Sequence, residues 1–240
     1  NAVIVTASHD GYAVANTLLD AGLNSITVVD SRFDTASEAH ETVQKGIDVL
    51  YGYEPMEAIG SRHVKGLSVR ATGNSPDRKI INSDLICLCG GRLPHAALWC
   101  HAGGAIEYDR PAGRWRLIGE PPYVTAAGSI HGYLGEAICA EDGSVAGRSA
   151  AFRAGFGVST ELSRPALPTE ENSGPIIVSH PRGGEFIDFD EDLTIKDLEA
   201  GVAQGFDHVQ LLKRYSTLGM GPSQGRHSLL PATEIALRAR

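Results

Sequence analysis

The first thirty residues place the strongest limit on what this chain can fold into. Residues 2–5 (AVIV) form an uninterrupted apolar run typical of a buried parallel strand, and residues 26–30 (ITVVD) form a second one. Between them, residues 10–21 carry apolar side chains at helical spacing. Two parallel strands need a crossover of about a dozen residues, and the right-handed rule places both in one sheet. The pattern predicts an α/β fold that opens as a Rossmann-like dinucleotide-binding domain with a parallel sheet.

Composition argues against two classes of partner. The chain has 240 residues, of which 42% are hydrophobic, so it can bury one large core or two modest ones. Its formal net charge of -8 supplies no basic field for nucleic acid or an anionic membrane surface. No apolar run approaches the roughly 20 residues that cross a bilayer. We therefore expect a cytoplasmic protein with no nucleic-acid partner and no membrane partner.

The cysteines predict the redox state of the thiols, and the first residues predict how the chain begins. Four cysteines do not make a disulfide framework, so we expect buried, reduced thiols at Cys87, Cys89, Cys100 and Cys139. The chain starts directly on a predicted strand. We interpret it as a fragment or a cleaved product of a longer protein.

Two later segments add glycine-containing turns to the α/β pattern. Residues 84–95 (DLICLCGGRLPH) are a buried strand that runs into a turn, and residues 123–129 (YVTAAGS) precede a predicted helix over 137–153. In this order they resemble the pyridine-nucleotide disulfide-reductase fold. The first segment resembles the turn that closes the inserted NAD(P)H domain of that fold. The second resembles the segment where the chain returns to the first nucleotide domain. The resemblance implies a degenerate second, NAD(P)H-type nucleotide domain over residues 1–108. It also implies a return segment of the first FAD/NAD-binding domain over residues 109–155.

The composition changes after that return segment. Residues 156–185 are rich in Pro, Ser, Gly and Glu, which predicts a linker. Thr194 and Asp197 have the spacing of a capping box at the start of a helix. Two further helices are predicted, over 207–219 and from Pro231 onward. Residues 186–240 are therefore expected to form a small all-helical domain.

The most specific motif spans residues 188–228. It reads DFDEDLT, then about twenty predicted helical residues, then LKRYSTLGMGPSQGRHS. It resembles the bacterioferritin-associated-ferredoxin type of [2Fe-2S] domain, whose pattern has Cys-x-Cys before Val-Thr, then Gly-Met-Gly-x-Cys-Gln-Gly-Arg and a final Cys. This chain has Asp188, Asp190, Ser223 and Ser228 at the four ligand positions, whereas such a cluster needs thiolates. We therefore predict that the domain keeps the scaffold and holds no iron–sulfur cluster.

The combination of these modules is informative. A degenerate cluster domain behind a reductase-like nucleotide module, with FIDF at 186–189 and RYSTLGMG at 214–221, resembles the alpha subunit of heterotetrameric sarcosine oxidase. The resemblance implies a cofactor-binding subunit, or a fragment of one, in a flavin-dependent amine oxidase or dehydrogenase complex that oxidatively demethylates a secondary or tertiary amine. It implies NAD in the first nucleotide domain, FMN at the interface with a β subunit, and further small subunits. The alternative is a non-catalytic scaffold or regulatory module derived from a pyridine-nucleotide-disulfide oxidoreductase.

The first β–α turn departs from a phosphate-binding loop. Of the G-x-G-x-x-G pattern only Gly11 remains, Ser8 puts a side chain where backbone would approach pyrophosphate, and Asp10 adds negative charge. Asp30 ends the second strand, where it is placed to accept a hydrogen bond from a ribose 2′-hydroxyl, although an Asp often closes a strand without any ligand. The sequence leaves two interpretations open, NAD binding in this half or a structural relic.

Two groups of residues are candidate cofactor contacts. Gly128 and Ser129 match the position where the disulfide-reductase family has Gly-Asp with its aspartate on the FAD ribityl chain; the absence of that aspartate fits NAD in place of FAD, or an ordinary loop. The second group lies within residues 213–226, at one helix end and the loop that follows it. It combines cations, a hydroxyl, an amide and flexible backbone. Such a group could bind the phosphate of a flavin, or it could be only a solvated helix end. These residues are Lys213, Arg214, Thr217, Gln224, Gly225 and Arg226. We expect no catalytic residue in this chain and, from the histidine spacing, no metal site.

Overall fold

The computed structural model describes residues 1–33, 37–73, 75–157, 163–167, 175–178 and 183–240. In chain order, the elements of the first ninety residues are β1 (Ala2–Thr6), α1 (Asp10–Asp20), β2 (Ile26–Asp30), α2 (Ser37–Gln44), β3 (Asp48–Tyr51), β4 (Tyr53–Gly60), β5 (Val64–Ala71), β6 (Arg78–Asn82) and β7 (Leu85–Cys89). The strand–helix–strand opening is therefore confirmed, with α1 ending one residue before the predicted end.

A four-stranded parallel sheet with the order β3-β2-β1-β7 organises this region. The central strand β1 pairs with β2 and β7, so that Ile4 lies between Val28 and Cys87. All five residues of β1 are buried. Such a strand needs apolar side chains on both faces, which explains its uninterrupted apolar run.

Each face of the parallel sheet has its own cover. Helix α1 packs Tyr12 and Ala15 against Ile4 and Val28 on one face. On the other face lies an antiparallel sheet of order β4-β5-β6, whose Leu67 and Val69 belong to one core cluster with Val3, Val5 and Val29 of the parallel sheet. The carboxyl ends of β1 and β2 are left at one edge, where a dinucleotide fold binds its ligand.

A second group of elements follows. It contains α3 (Ala97–His101), β8 (Ala105–Asp109), β9 (Arg114–Ile118), a 3₁₀ turn (Gly128–His131) and α4 (Glu136–Arg153). Strands β8 and β9 form an antiparallel hairpin, and the indole N–H of Trp99 donates to the carbonyl of Ile118 at 3.1 Å. Helix α4 confirms the helix predicted for residues 137–153.

Residues 183–240 form a small domain that is mostly helical. Its elements are β10 (Phe186–Asp188), β11 (Leu193–Thr194), α5 (Ile195–Ala203), α6 (Val209–Ser216) and α7 (Leu229–Arg238). The short antiparallel pair β10–β11 is an addition to the predicted all-helical domain. The capping box is confirmed, because Thr194 accepts from the N–H of Asp197 and the Asp197 carboxylate accepts from the N–H of Thr194. Helix α6 is shorter than predicted, because Thr217 adopts a left-handed φ of 62° and ends it.

The chain divides into two compact units, one made of Asn1–Gly91 with Ser173–Arg240 and the other of Arg92–Asn172. Within the first unit, Ile176 packs on the core of the parallel sheet and Ile177 on the core of the helical domain. Of the linker predicted over 156–185, residues 158–162, 168–174 and 179–182 lie outside the described residues. The four-part division predicted from the sequence stays a prediction. It says which segments of a related family these residues correspond to, and a division into compact units does not test that.

Two further expectations concern the burial of the cysteines and the absence of a membrane-spanning helix. All four cysteines are free, but Cys100 is exposed and the other three are half-buried. Full burial was thus wrong for all four and most clearly for Cys100, which α3 turns outward together with Leu98. No helix within the described ranges is long and apolar enough to span a membrane.

Candidate functional site

A buried carboxylate organises the loop between α6 and α7. Asp188, at the end of β10, has no exposed surface. Its Oδ2 accepts from the N–H of Gly219 at 2.8 Å and from the hydroxyl of Ser228 at 3.0 Å, and its Oδ1 accepts from the N–H of Asp190 at 3.0 Å. The imidazole Nε2 of His227 lies 3.9 Å from Oδ1. One carboxylate therefore ties the β10–β11 pair, the loop and the start of α7 together.

A second carboxylate holds the middle of the same loop. The Oδ2 of Asp190 accepts from the N–H of Ser223 at 2.7 Å. The Ser223 hydroxyl lies near this carboxylate but makes no hydrogen bond of ordinary geometry. The hydroxyl and the N–H of Ser223, with a smaller contribution from His227, hold the pKa of Asp190 below its ordinary value. The carboxylate is therefore the anionic form over the neutral pH range.

These two pairs, Asp188 with Ser228 and Asp190 with Ser223, are the four residues that the ferredoxin resemblance predicts at cluster-ligand positions. Ser228 donates directly to Asp188, and the backbone of Ser223 donates to Asp190. Hard oxygen atoms that are already engaged with one another do not suit iron and bridging sulfide, which need thiolates. Within the described ranges, no three His, Cys, Asp or Glu side chains gather as a metal-binding group. The residues present do not fit a cluster, and its absence from the protein stays a prediction.

Two glycines let the loop cross itself. Gly219 and Gly225 both have positive φ, 66° and 72°. A Cβ placed on Gly219 would lie 3.2 Å from the Cα of Gly225, and the reverse distance is 3.3 Å. Only glycine satisfies both the backbone angle and this close approach without strain. The crossing fixes the two ends of the loop that carries the predicted site residues.

The structure brings six of the predicted cofactor residues onto this helix end and loop. Lys213 and Arg214 lie in the last turn of α6, and Arg226 lies two residues before the N-cap of α7. Among the described residues, no side-chain hydrogen bond or ion pair engages these three cations. Thr217 donates to Glu191 at 2.9 Å, and the Gln224 amide donates to the Gly221 carbonyl at 2.9 Å. The Gly225 backbone is part of the crossing.

The other two predicted residues, Gly128 and Ser129, lie in the second unit. The N–H of Gly128 donates to Oδ2 of Asp142 at 2.7 Å, and Arg164 donates to Oδ1 of the same carboxylate at 3.0 Å. Asp142 is fully buried, whereas Ser129 is exposed at the start of the 3₁₀ turn. The sequence reasoning missed Asp142 and Arg164, which fix the conformation of this turn.

The first β–α turn is closed by its own side chains. The hydroxyl of Thr6 donates to the Ser8 carbonyl at 2.8 Å and accepts from the Ser8 N–H at 3.1 Å. The hydroxyl of Ser8 in turn accepts from the Asp10 N–H at 3.3 Å. A Cβ on Gly11 would lie 2.5 Å from the Cβ of Thr6, so Gly11 serves close packing of helix on strand. Two N–H groups that a phosphate would use are therefore engaged.

Asp30 is also fully engaged. Its Oδ1 accepts from the N–H and Nε of Arg32, and its Oδ2 accepts from the Arg32 guanidinium at 2.7 Å and from the Tyr12 hydroxyl at 2.7 Å. Asp30 is buried, and the Arg32 side chain is only 9% exposed. Burial, and then the hydrogen bond to Asp30, raise the pKa of Tyr12. No lone pair of Asp30 is presented to a ribose, so the residues present do not fit NAD at this edge. Arg32 was not predicted from the sequence. Its position two residues after Asp30, the acid that ends β2, could have indicated an ion pair between them.

A model of the sarcosine oxidase A3 domain family matches residues 182–240. The match covers Asp188, Asp190, the loop they hold and helices α5 to α7.

Curated proteins resemble nearly the whole chain. The alpha subunit of sarcosine oxidase from Rhizobium meliloti (strain 1021) is 27% identical over 99% of this chain and 24% of its own length. Its counterpart from Corynebacterium sp. (strain P-1) is 23% identical over 97% of this chain and 25% of its own length. The opine oxidase A-subunit of Agrobacterium tumefaciens (strain Ach5) is 26% identical over 93% of this chain and 52% of its own length. The chain thus spans about a quarter of the sarcosine oxidase relatives that it matches.

Solved structures resemble the chain in fold. L-proline dehydrogenase from P.horikoshii has a TM-score of 0.54 at 18% identity, over 98% of this chain and 44% of that chain. Thioredoxin reductase from T. acidophilum has a TM-score of 0.51 at 17% identity, over 64% of this chain and 52% of that chain. These likenesses confirm the α/β class with a Rossmann-type parallel sheet.

Proposed function

We propose, on the premise that residues 182–240 belong to the sarcosine oxidase A3 family, that this chain is part of the cofactor-binding α subunit of a flavin-dependent, sarcosine-oxidase-like complex. The complex oxidatively demethylates a secondary or tertiary amine such as sarcosine, which is oxidation of a CH–NH donor. This chain contributes cofactor binding and an interface, while a β subunit carries the reacting site. The proposal includes a heterotetramer with further small subunits and a cytoplasmic location.

One observation carries the proposal: the last turn of α6 presents Lys213 and Arg214, and the loop before α7 presents Arg226, without anionic partners among the described residues. The chain as a whole is acidic, with a formal net charge of -8. Unmatched cations at the end of a helix, and on a following loop that two carboxylates and a glycine crossing hold, suit an anionic ligand. The relatives are named as single subunits of sarcosine and opine oxidases, which supports a chain that works with partner subunits.

These cations suit the phosphate of FMN at an interface with the β subunit. Arg226 lies just before the start of α7, where the helix end adds partial positive charge. The Thr217 hydroxyl and the Gln224 amide lie on the same loop. When bound, the flavin supplies the electron acceptor for the amine. The residues of this chain would hold its phosphate and exclude water around it.

For NAD we propose the turn at Gly128 and Ser129, which the buried Asp142 anchors through the Gly128 N–H. The exposed Ser129 hydroxyl is a neutral hydrogen-bonding group in the place of a carboxylate. The edge at Asp30 is not part of this proposal, because Arg32 and Tyr12 fill it. The rest of the NAD site would come from other parts of the complete α subunit.

The test of the function uses the natural gene product with its partners. A tagged full-length chain is expected to copurify with a flavin-containing subunit, and the complex is expected to oxidise sarcosine or a related N-methyl amine. The chain alone, supplied with FMN, is expected to give no turnover, because no residue in it is assigned to the reaction. Turnover by the chain alone, or purification without any partner, would contradict the proposed function.

The flavin site can be tested separately. In the complex, Arg226→Ala and Lys213→Ala are expected to weaken flavin retention about tenfold or more, because a hydrogen bond to a charged group contributes about 1.5–3 kcal/mol and each 1.4 kcal/mol is tenfold. Flavin absorbance per complex after gel filtration measures the effect. Lys196→Ala, an exposed lysine of α5, is the matched control. Unchanged flavin in both loop variants would mean that the cations are a solvated helix end.

A second candidate function is a non-catalytic scaffold or regulatory module. The closed first β–α turn and the fully engaged Asp30 favour it, because both features of a nucleotide site now serve packing. A complex in which this chain is present but carries neither NAD nor a flavin contact would support the scaffold over the cofactor-binding role.

A further inference from the structure

A buried carboxylate of the second unit holds an arginine by one part of its guanidinium. Asp142, on α4, has no exposed side-chain surface. Its Oδ1 accepts from Nη1 of Arg164 at 3.0 Å, and its Oδ2 accepts from the N–H of Gly128 at 2.7 Å. The Nη2 of Arg164 also donates to the carbonyl of Ala126 at 3.0 Å. One guanidinium therefore joins α4 to the segment that leads into the Gly128 turn.

The backbone next to Arg164 is held as well. The hydroxyl of Tyr133, a buried residue, donates to the carbonyl of Pro165 at 2.7 Å. The carbonyl of Tyr133 in turn accepts from the thiol of Cys139 on α4 at 3.7 Å. Arg164 is therefore fixed both at its head group and beside its own backbone. A side chain that is already ordered loses little conformational entropy when a ligand binds to it.

Part of this guanidinium is available to a ligand. Arg164 uses its Nη1 and Nη2 atoms within the chain, and a guanidinium carries further N–H donors in the same plane. The Arg164 side chain is 35% exposed. Within the described residues, Asp142 is its only carboxylate partner. The remaining N–H groups have a fixed plane and access to solvent.

Other charged groups lie near the same turn. Arg114, at the start of β9, donates to the carbonyl of Gly132 at 3.1 Å and has no carboxylate partner among the residues that the structure describes. Glu136 and Glu141 are exposed on α4, and within the same ranges neither makes an ion pair. Oriented arginine donors, rather than an excess of positive charge, therefore favour an anionic ligand at this turn.

We propose that Arg164 binds the phosphates of a dinucleotide at the Gly128–Ser129 turn. Arginine binds phosphate oxygens through paired, charge-assisted hydrogen bonds, and the exposed Ser129 hydroxyl brings no negative charge to the turn. The proposal rests on the NAD site of the proposed function and adds the residue that meets the charge of the ligand. Asp142 is a positioning residue, because it acts through Arg164 and through the N–H of Gly128.

The test measures the dissociation constant of NAD for the natural complex, by titration calorimetry after bound nucleotide has been dialysed away. Arg164→Ala is expected to raise this constant about tenfold or more, because hydrogen bonds to a charged phosphate are lost. Arg164→Lys keeps the charge without the planar pair of donors, and we expect an intermediate value. Arg148→Ala is the matched control, since Arg148 is an exposed residue of α4 that donates to a backbone carbonyl.

The salt dependence separates a direct contact from support of the turn. The affinity of the wild type for NAD is expected to fall as salt is raised, and that of Arg164→Ala to fall less steeply, because salt screens a partly exposed charged contact. Equal slopes would mean that Arg164 only shapes the turn, and they would overturn the proposal.

A second variant covers loss of stability. If Arg164→Ala lowers the melting temperature, Asp142→Asn is added to it, which removes the carboxylate left buried without its partner. Weaker NAD binding with a shallower salt slope in this double variant supports the contact. Unchanged affinity in it overturns the contact.

The outcomes also distinguish Arg164 from the function. A complex that binds NAD equally well in the wild type and in Arg164→Ala would overturn the assignment of Arg164 and leave the proposed NAD site in place. A flavin-containing wild-type complex that binds no NAD would remove both the assignment and that site, but not the flavin role. The flavin content is expected to be the same in the wild type and in every Arg164 variant.

Discussion

Asp188→Ala is expected to lower the free energy of unfolding by about 3 kcal/mol or more, because hydrogen bonds to a charged group contribute about 1.5–3 kcal/mol each and their buried donors are left unsatisfied. The donors are the N–H groups of Gly219 and Asp190 and the hydroxyl of Ser228. Thermal or urea unfolding, followed by circular dichroism, measures the change. The helical domain is expected to lose cooperativity first.

Two further variants sharpen this result. Asp188→Asn keeps the shape but replaces one accepting oxygen by an NH₂ group, and both oxygens accept in the wild type, so we expect it to be destabilising in either amide orientation. Ser228→Ala removes a single donor and is expected to cost about 1 kcal/mol. If Asp188→Ala is no worse than Ser228→Ala, the carboxylate does not hold the loop.

Arg32→Ala is expected to destabilise the region around the parallel sheet by about 3–5 kcal/mol, the usual cost of removing one partner from a buried ion pair. Asp30 would keep only the Tyr12 hydroxyl and a backbone N–H as donors, with no exposed surface. Any NAD content of the proposed complex is expected to stay unchanged, because Arg32 and Asp30 serve packing. Unfolding curves and the nucleotide released on denaturation measure the two effects.

The matched control for this variant is Arg116→Ala. Arg116 pairs with Glu107 across the β8–β9 hairpin, and the two side chains are 56% and 58% exposed. Exposed pairs contribute no more than about 1 kcal/mol. An Arg32→Ala protein that loses NAD while its stability matches the control would make Arg32 a nucleotide ligand and Asp30 its partner in binding.

Local patterns were sufficient for much of the fold. The strand–helix–strand opening follows from apolar spacing within thirty residues, and the capping box follows from Thr194 and Asp197 three residues apart. Such features need only neighbours in sequence. The end of α6 was placed too late, because the left-handed φ of Thr217 depends on its contact with Glu191 and on the loop that follows.

The candidate site shows where sequence reasoning stops. The spacing placed Asp188, Asp190, Ser223 and Ser228 in one motif, yet it gave no partner for any of them. Asp188 meets Ser228 forty residues away in sequence, and Asp190 meets Ser223 thirty-three residues away. The exposure of the Phe186 and Phe189 rings was not predicted, because it depends on how β10 and the loop before α7 pack together.

The sequence by itself determined the α/β class and the absence of cysteine at positions 188, 190, 223 and 228, because these depend on residue type and local periodicity. Only the tertiary structure decided what the carboxylates do. From the sequence, Asp30 is a candidate acceptor for a ribose hydroxyl. In the folded protein, Arg32 and Tyr12 donate hydrogen bonds to its carboxylate oxygens. Whether a polar group is available to a ligand depends on its neighbours in space, and folding selects those neighbours.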